Sequence, residues 1–596
     1  MSAPPSRWLG PLLLSLAVVV LWIWAWPWFA GTRPLQPYDW AHVIRLGERE
    51  GRFYLGALVF EALLVAALTV VCSRVWNGRL DARLAKLEAS GKSAYAAIAL
   101  LSGVLAIAVA FVVVRQHPIT EDEKTYLFQA KLLLGGHLTI PVPDFPRAFW
   151  QPFLVEAGGR WSGQYFWAHP ALLALGLLLH LPAIVPALEL MTGVFFTGLL
   201  VEEYARDRRA GVLSALLLAG SPLALFTAGS LHSATLSMAC GAVALWSMAR
   251  VANGRPSVGS AVALGLSVAI GMHNRPLDIA ALVAGAGVVL LLRRKVDLKR
   301  VLVSLAPSIA IVLLALVAQA FLNRAVSGSC AHSGYWLFNE GHGWTTMGFG
   351  KGPFGLPHTP SIATIKTLAV WIRLAFYTTG SPWALFLLVL PFPGSRPGGR
   401  RGAAPGAIVL VYAGAYFLYA SASILTTGPV YYDALMPVMA GWIALSAITW
   451  HERVRSQPWA RRLVPSFLVA QAVAALIVFW PPELLEVANA ASSASACERV
   501  AERRGVSRAM IFVGGGGKSL ASWTSWPPQS LPTLDDPILF ANSRGPAEDA
   551  GAAARYANGR PLYLAHCVQE ASPTLARYDP VTDPADPLEA TSPDVH

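Results

Sequence analysis

Apolar runs long enough to cross a bilayer recur along the first 480 residues of this chain, and no other feature constrains its fold as tightly. A run of roughly 17 to 25 apolar residues spans the hydrocarbon layer as a helix, because a helix satisfies its backbone polar groups within one segment. Such runs lie near 11–30, 53–74, 94–115, 171–201, 210–229, 231–249, 257–273, 276–292, 301–321, 371–393, 405–424, 434–450 and 463–481, about 13 spans in all. Charged residues make up 13% of the 596 positions and hydrophobic ones 55%, whereas soluble domains carry about a quarter charged. The expected fold is therefore an all-α polytopic membrane protein. The first run is rich in tryptophan at its end (Trp22, Trp24, Trp26, Trp28) and no Ala-x-Ala site follows it, so it reads as a retained helix with an interfacial aromatic belt rather than a cleaved signal.

The net charge of +12 would raise nucleic acid as a partner in a soluble protein. Here the basic residues sort by loop, which excludes that reading. Alternate connections carry Arg79, Arg83, Lys86 and Lys92; Arg206, Arg208 and Arg209; Arg250 and Arg255; Arg293, Arg294, Lys295, Lys299 and Arg300; Arg396, Arg400 and Arg401; and Arg453, Arg455, Arg461 and Arg462. The positive-inside rule makes these loops cytoplasmic. The N-terminus is then inside, and segments 116–168, 273–276, 322–365, 425–433 and the tail from 482 are outside. The expected localisation is the plasma (inner) membrane.

Three units follow: an accessory hairpin and cytoplasmic loop (1–93), a transmembrane core (94–481) with external loops 116–168 and 322–365, and a small extracytoplasmic C-terminal domain (482–596). In that domain short apolar runs such as Met510 to Val513, Ile538 to Phe540 and Leu562 to Ala565 alternate with turns, the pattern of a small α/β unit. Of five cysteines, Cys497 and Cys567 both fall in this tail, where oxidising conditions allow a bridge that sequence alone leaves open. The Gly514 to Gly517 run before Lys518 and Ser519 lacks the first glycine of a phosphate loop, Phe512 standing there, and reads as a flexible turn.

The first external loop holds the unusual chemistry. Thr120 Glu121 Asp122 Glu123 follows the third span directly. Thr120 as N-cap with Glu123 three residues on forms a capping box, and Gly135 Gly136 stops the helix, giving an amphipathic interfacial helix over about 121–134. The plain reading of the three acids is helix capping. At a membrane boundary, a carboxylate against apolar walls also has its pKa raised toward general-base range. Arg275 separates two apolar segments: it either snorkels to headgroups or anchors a phosphate through its bidentate fork, with Pro276 opening the next helix. His169, before Pro170, reads as an interfacial hydrogen bonder. The external histidines (His137, His169, His332, His342, His358) lack paired ligand spacing, so no metal site is assigned and no cofactor is called for, although the residues leave a divalent metal open.

These residues together resemble a known family. Asp122 Glu123 then Tyr126, Gly135 Gly136 and the return from Tyr165 to Pro170; Ser221 Pro222 leading to Ser230 and His232; Arg275 Pro276 Leu277; His358 Thr359 Pro360; and Gly428 Pro429 with Tyr431 Tyr432 ahead of Pro437 are similar to the C-type (GT-C) membrane glycosyltransferases of the protein mannosyltransferase and aminoarabinose transferase superfamily. The resemblance covers about residues 94 to 480. It implies an enzyme that transfers a sugar from a polyprenyl-phosphate-linked donor to a protein, glycan or lipid acceptor outside the membrane. The roles it implies are Asp122 as base, Glu123 as its support, Arg275 as holder of the lipid phosphate, and Tyr126, Lys131, His169, His358, Tyr431 and Tyr432 as substrate-binding residues. Relatives often carry a basic residue just before the tyrosine pair where this chain has Val430, which leaves Lys124, Lys131 and Lys351 as other sources of positive charge. Two alternatives stay open: a lipid or solute transporter, disfavoured because most ionisable residues sit at one membrane face, and an inactive envelope-assembly partner.

Overall fold

The computed structural model describes residues 6–29, 50–76, 82, 86–291, 298–353, 357–386, 400–421, 424–454, 456–457, 461–514, 532–567 and 573–581. Arg79, Arg83, Arg293, Arg294, Lys295, Arg396, Arg455, the segment Gly515 to Ser519, and the side chains of Trp26, Trp28, Lys299, Arg300, Arg400 and Arg401 lie outside the described residues.

Among the described residues six helices are long and apolar enough to cross a membrane: Gly51–Val75, Lys92–Val113, Ile184–Ala205, Ala234–Ala252, Val303–Ser327 and Val430–Val454. Two bent pairs raise this to eight: Arg208–Ala219 with Pro222–Gly229 at 52°, and Leu463–Val478 with Trp480–Ala494 at 42°. Shorter apolar helices cover Gly10–Ala25, Ala168–Leu178, Val258–Met272, Pro276–Leu291 and Ala404–Leu418. The chain is thus a multi-pass membrane protein. Burial separates the helices by role: 78% of the apolar stretch of Ala234–Ala252 is buried against 6% for Val303–Ser327, so the former is a central post and the latter faces lipid. The central core packs Leu190, Val194, Phe226, Met238, Leu282, Tyr412, Leu435 and Met439 together.

Several expected spans take a different form. The run 171–201 breaks between Leu178 and Ile184, because His180 adopts a positive φ of 52° and Leu181 precedes a proline, which disfavours helix. The run expected at 371–393 belongs to a helix that starts earlier, at Pro360, and ends at Thr379 with Gly380 in the left-handed region; 387–399 lies outside the described residues. The loop 322–365 holds the helix Gly334–Gly341 and the paired Gly350–Lys351 and Pro357–His358.

The tail forms a four-stranded sheet. Ala509–Val513 sits at its centre, parallel to Ile538–Asn542 on one side and to Leu562–His566 on the other, with Thr574–Arg577 antiparallel at the edge. The central strand is buried on both faces and therefore reads as a continuous apolar run. Its alternate residues divide between two cores. Ile511 and Val513 meet Val500, Ala501 and Cys497 of the helix Ala496–Arg503. Met510 and Phe512 instead join Phe128, Leu132, Phe149, Trp161 and Phe338. The tail and the loops 116–168 and 322–365 thus share one core. Asn542 Nδ2 donates to Trp150 O at 3.0 Å, and a Cys497–Cys567 disulfide pins the helix to the sheet across 5.2 Å between Cα atoms.

Candidate functional site

The acidic helix runs Glu121–Leu134, the bounds its caps specify: the Thr120 side chain accepts from Glu123 N, and Gly136 adopts a φ of 73° just past the end. It lies outside the membrane-spanning helices. It is not, however, a surface helix with one wet face. Glu121, Glu123 to Tyr126, Phe128 to Ala130 and Leu132 are all buried, because the hairpin Leu154–Ala157 with Arg160–Gly163, the helix Ala168–Leu178 and the tail cover it from different sides. The hairpin turns on Gly158 and Gly159, both at positive φ, as a two-residue reversal requires. Gly163 lets the strand approach so closely that a Cβ there would stand 2.7 Å from the Gln129 side chain. Gln129 Nε2 donates to Tyr165 O at 2.9 Å, and the Tyr165 hydroxyl donates to Asp122 Oδ1.

This packing separates the three acids. Glu123 is fully buried and accepts from Ile119 N at 3.1 Å and Leu231 N at 3.3 Å, with Thr120 Oγ1 at 3.1 Å on its other oxygen. The second half of the capping box is therefore moved from the N-cap N–H to that of Ile119, one residue earlier, and is shared with the remote Leu231. Glu121 is buried beside Lys124. Asp122 alone is partly exposed. Burial first and the neighbouring Glu121 second push its carboxyl up to about 7, with Arg275 pulling the other way. Burial raises Glu123 to about 8 against its backbone hydrogen bonds, and lowers Lys124 to about 8 against Glu121 and Glu498.

The connector 230–233, between the helices Pro222–Gly229 and Ala234–Ala252, ties the acidic helix to the arginine turn. Ser233 Oγ pairs with the Tyr126 hydroxyl at 2.9 Å and accepts from Arg275 Nε at 3.1 Å. Asn274 Nδ2 holds Ser233 O at 2.8 Å. A second nitrogen of Arg275 donates to Val430 O at 3.3 Å, and its guanidinium lies over the Tyr431 ring at 5.0 Å. The residue at 430 thus meets Arg275 through its backbone, which valine supplies as well as a basic residue would.

Five tyrosines from five separate segments form a run of rings that ends on the arginine. Ring centroids step from Tyr126 to Tyr165 at 4.7 Å, Tyr165 to Tyr335 at 6.2 Å and Tyr419 to Tyr431 at 5.3 Å, with the Tyr335 and Tyr419 hydroxyls 2.6 Å apart. Tyr165, Tyr335, Tyr419 and Tyr431 are all partly exposed, like Asp122 and Arg275. Behind them Asp278 accepts from the hydroxyls of Tyr412 and Tyr416, and Lys366 Nζ donates to Tyr416 O at 3.2 Å.

The other sequence candidates fall elsewhere. His169 is buried beneath Tyr126, its ring nitrogens facing Leu231 O at 2.9 Å and Glu189 Oε1 at 3.2 Å, so it props the site from behind. Tyr432 is buried against Tyr412. Nine residues separate Lys131 from Asp122, which puts it about 13 Å along the helix and on the opposite face. His358 is buried against Phe349 at 5.6 Å. Lys124 is buried against Glu121 and Glu498, and Lys351 is exposed on a separate strand. Ser233, Tyr335 and Tyr419 were missed from sequence. Ser233 carried a signal as the neighbour of the His232 motif residue, and Tyr335 as one of the aromatics of the loop 322–365.

No family model matches the chain, and no curated protein matches it. Among solved structures, ArnT from Cupriavidus metallidurans bound to undecaprenyl phosphate is similar at 14% identity and a TM-score of 0.50, over 78% of this chain and 92% of that one. The Archaeoglobus fulgidus oligosaccharyltransferase in the apo form gives 13% and 0.42 over 78% and 69%. The arabinofuranosyltransferase AftD from Mycobacteria gives 16% and 0.32 over 81% and 36%. The first of these likenesses extends over nearly the whole of its partner, and with it the chain has the fold of the C-type (GT-C) membrane glycosyltransferases.

Proposed function

We propose that this chain is an inverting membrane glycosyltransferase that moves a sugar from a polyprenyl-phosphate carrier to an acceptor hydroxyl on the extracytoplasmic side of the plasma (inner) membrane. In this reading the N-terminus is cytoplasmic, about 13 transmembrane helices form the membrane unit, and the tail lies outside. Arg275 grips the carrier phosphate. Asp122 takes the proton from the acceptor hydroxyl as its oxygen bonds to the anomeric carbon; the bond from that carbon to the phosphate oxygen breaks, and the electron pair leaves with the polyprenyl phosphate. The leaving group departs as an anion and needs no proton, so one carboxylate suffices, unlike the paired acids of glycoside hydrolases. Glu123 then acts as the fixed post that sets the pitch of the helix carrying Asp122. A cation placed where negative charge develops stabilises that state preferentially.

The observation that carries this reading is the joint placement of Asp122 and Arg275, both partly exposed and bridged through Tyr126 and Ser233. The test is transfer of labelled sugar from a polyprenyl-phosphate donor by membranes holding the wild type or Asp122→Asn at matched levels of folded protein. Loss of roughly a hundredfold or more is expected for a missing general base. Undiminished transfer removes Asp122 from that role.

A further inference from the structure

Far from the tyrosine site, Glu61 sits at the centre of the span Gly51–Val75 with no exposed surface. It departs from the expectation that ionisable residues gather at one membrane face. Its depth follows from its neighbours. Tyr54 packs on Phe376 at 5.0 Å, and Phe376 stacks on Phe479 at 5.7 Å. Glu61 lies seven residues beyond Tyr54, about 10 Å deeper, and Gln471 lies eight residues before Phe479, about 12 Å deeper on the adjoining helix.

Between them ends the helix Pro360–Thr379. Gly380 closes it in the left-handed region with a φ of 76°, its N–H donating to Phe376 O at 2.6 Å. Ser381 follows at once, fully buried, and its hydroxyl is the polar group facing Glu61. Thr379 Oγ1 donates to Ser381 O at 2.7 Å, so it can accept only from an N–H, and Gln471 Nε2 supplies one at 3.1 Å. That fixes the Gln471 amide with its oxygen free. Glu61 Oε1 and Oε2 and Gln471 Oε1 are buried without a close hydrogen-bond partner, and the Ser381 hydroxyl has none besides the Glu61 carboxyl it faces. Among the described residues no basic side chain acts on Glu61.

The cluster is therefore one carboxylate faced by the Ser381 hydroxyl, with the Gln471 amide reached through Thr379, placed against the negative end of a helix dipole. An unpaired carboxylate at that depth is costly. Carboxylate, hydroxyl and amide oxygens suit a hard cation, and a single carboxylate is neutralised by a single positive charge. Interrupted membrane helices provide such sites elsewhere. We infer that Glu61, Ser381 and Gln471 form a buried binding site for a monovalent cation of the sodium class, distinct from the tyrosine site. The bound ion locks the end of the helix Pro360–Thr379 to the span carrying Glu61.

The test uses the purified full chain in nanodiscs, melted in sodium, potassium or choline chloride at constant ionic strength. For the wild type the melting temperature rises saturably with sodium by a few degrees over choline, as binding to the folded state alone requires. For Glu61→Gln, which keeps the shape and removes the charge, the sodium increment disappears. Equal sodium responses of wild type and variant overturn the proposal, as does a wild type that does not distinguish sodium from choline. Should Glu61→Gln fail to fold, Ser381→Ala serves as the second variant, expected to weaken the sodium response several-fold. Saturable binding of labelled sodium to the wild type, measured directly, gives a readout that does not involve glycosyl transfer. Absence of such binding sinks the cation site and leaves the transferase reading untouched.

Discussion

Arg275 Nε donates to Ser233 Oγ at 3.1 Å, and the same oxygen pairs with the Tyr126 hydroxyl at 2.9 Å. One small side chain therefore couples the acidic helix of the first loop to a turn more than a hundred residues away. A serine fits because it both donates and accepts on a short stem. Ser233→Ala is expected to lower stability by about 1–3 kcal/mol, the usual cost of leaving buried partners unpaired, and to raise KM for the lipid donor. Thermal melting and donor titration check both. A change in stability with donor KM unaltered would leave Ser233 purely structural.

Arg275 donates in two directions at once, to Ser233 and to Val430 O, while its plane covers the Tyr431 ring. A lysine ammonium keeps the charge and loses the planar fork and the stacking. Arg275→Ala is expected to cost about a hundredfold to a thousandfold in transfer rate, with Arg275→Lys recovering only part of it. Single-turnover transfer with saturating donor separates the two variants.

The pH dependence of kcat/KM follows from Asp122. A general base works ionised, and burial with Glu121 holds this carboxyl up to about 7. Activity is expected to climb about tenfold per pH unit below that value and level off above it. Glu121→Gln removes the second of the two raising influences, so the midpoint moves down. In stability the sign is opposite: a carboxyl raised from 3.8 to about 7 favours the folded state most at low pH, and that contribution is lost as pH rises through the folded value. A rate profile without a rising limb in this range would exclude Asp122 as the titrating base.

The Cys497–Cys567 disulfide closes 70 residues of chain. Cys567→Ser is expected to cost the tail about 2–4 kcal/mol, since a bridge of that reach mainly restricts the unfolded chain. Phe512 and Met510 share a core with the helix of the acidic motif, so loosening the tail also loosens the first loop. Limited proteolysis of the variant is expected to cut the tail sooner and, with it, the loop 116–168. Cleavage confined to the tail would show the two to be uncoupled.

Much of this protein was legible before its fold was known, because the relevant signals act over short range. Apolar run length marked most of the membrane helices, Thr120 and Gly135 Gly136 bounded the acidic helix, and the short apolar runs at Met510 to Val513, Ile538 to Phe540 and Leu562 to Ala565 fall on three strands of the tail's sheet. The family likeness was carried by short motifs in order, and the fold bears it out. Other features depended on segments remote in sequence. Spacing set Glu123 apart from its neighbours as the partner of Thr120, and the resemblance alone set Asp122 apart from Glu121. Only the docking of Leu231, Lys124 and Tyr165 decides that Glu123 is a buried post, Glu121 a covered neighbour and Asp122 the open carboxylate. The five tyrosines of the run that ends on Arg275 come from five stretches with no shared period, and the break at His180 and the end at Gly380 are backbone events inside apolar composition. Hydropathy and caps specify where a helix exists; which side chains converge is set by close packing between helices, and that is a property of the assembled chain.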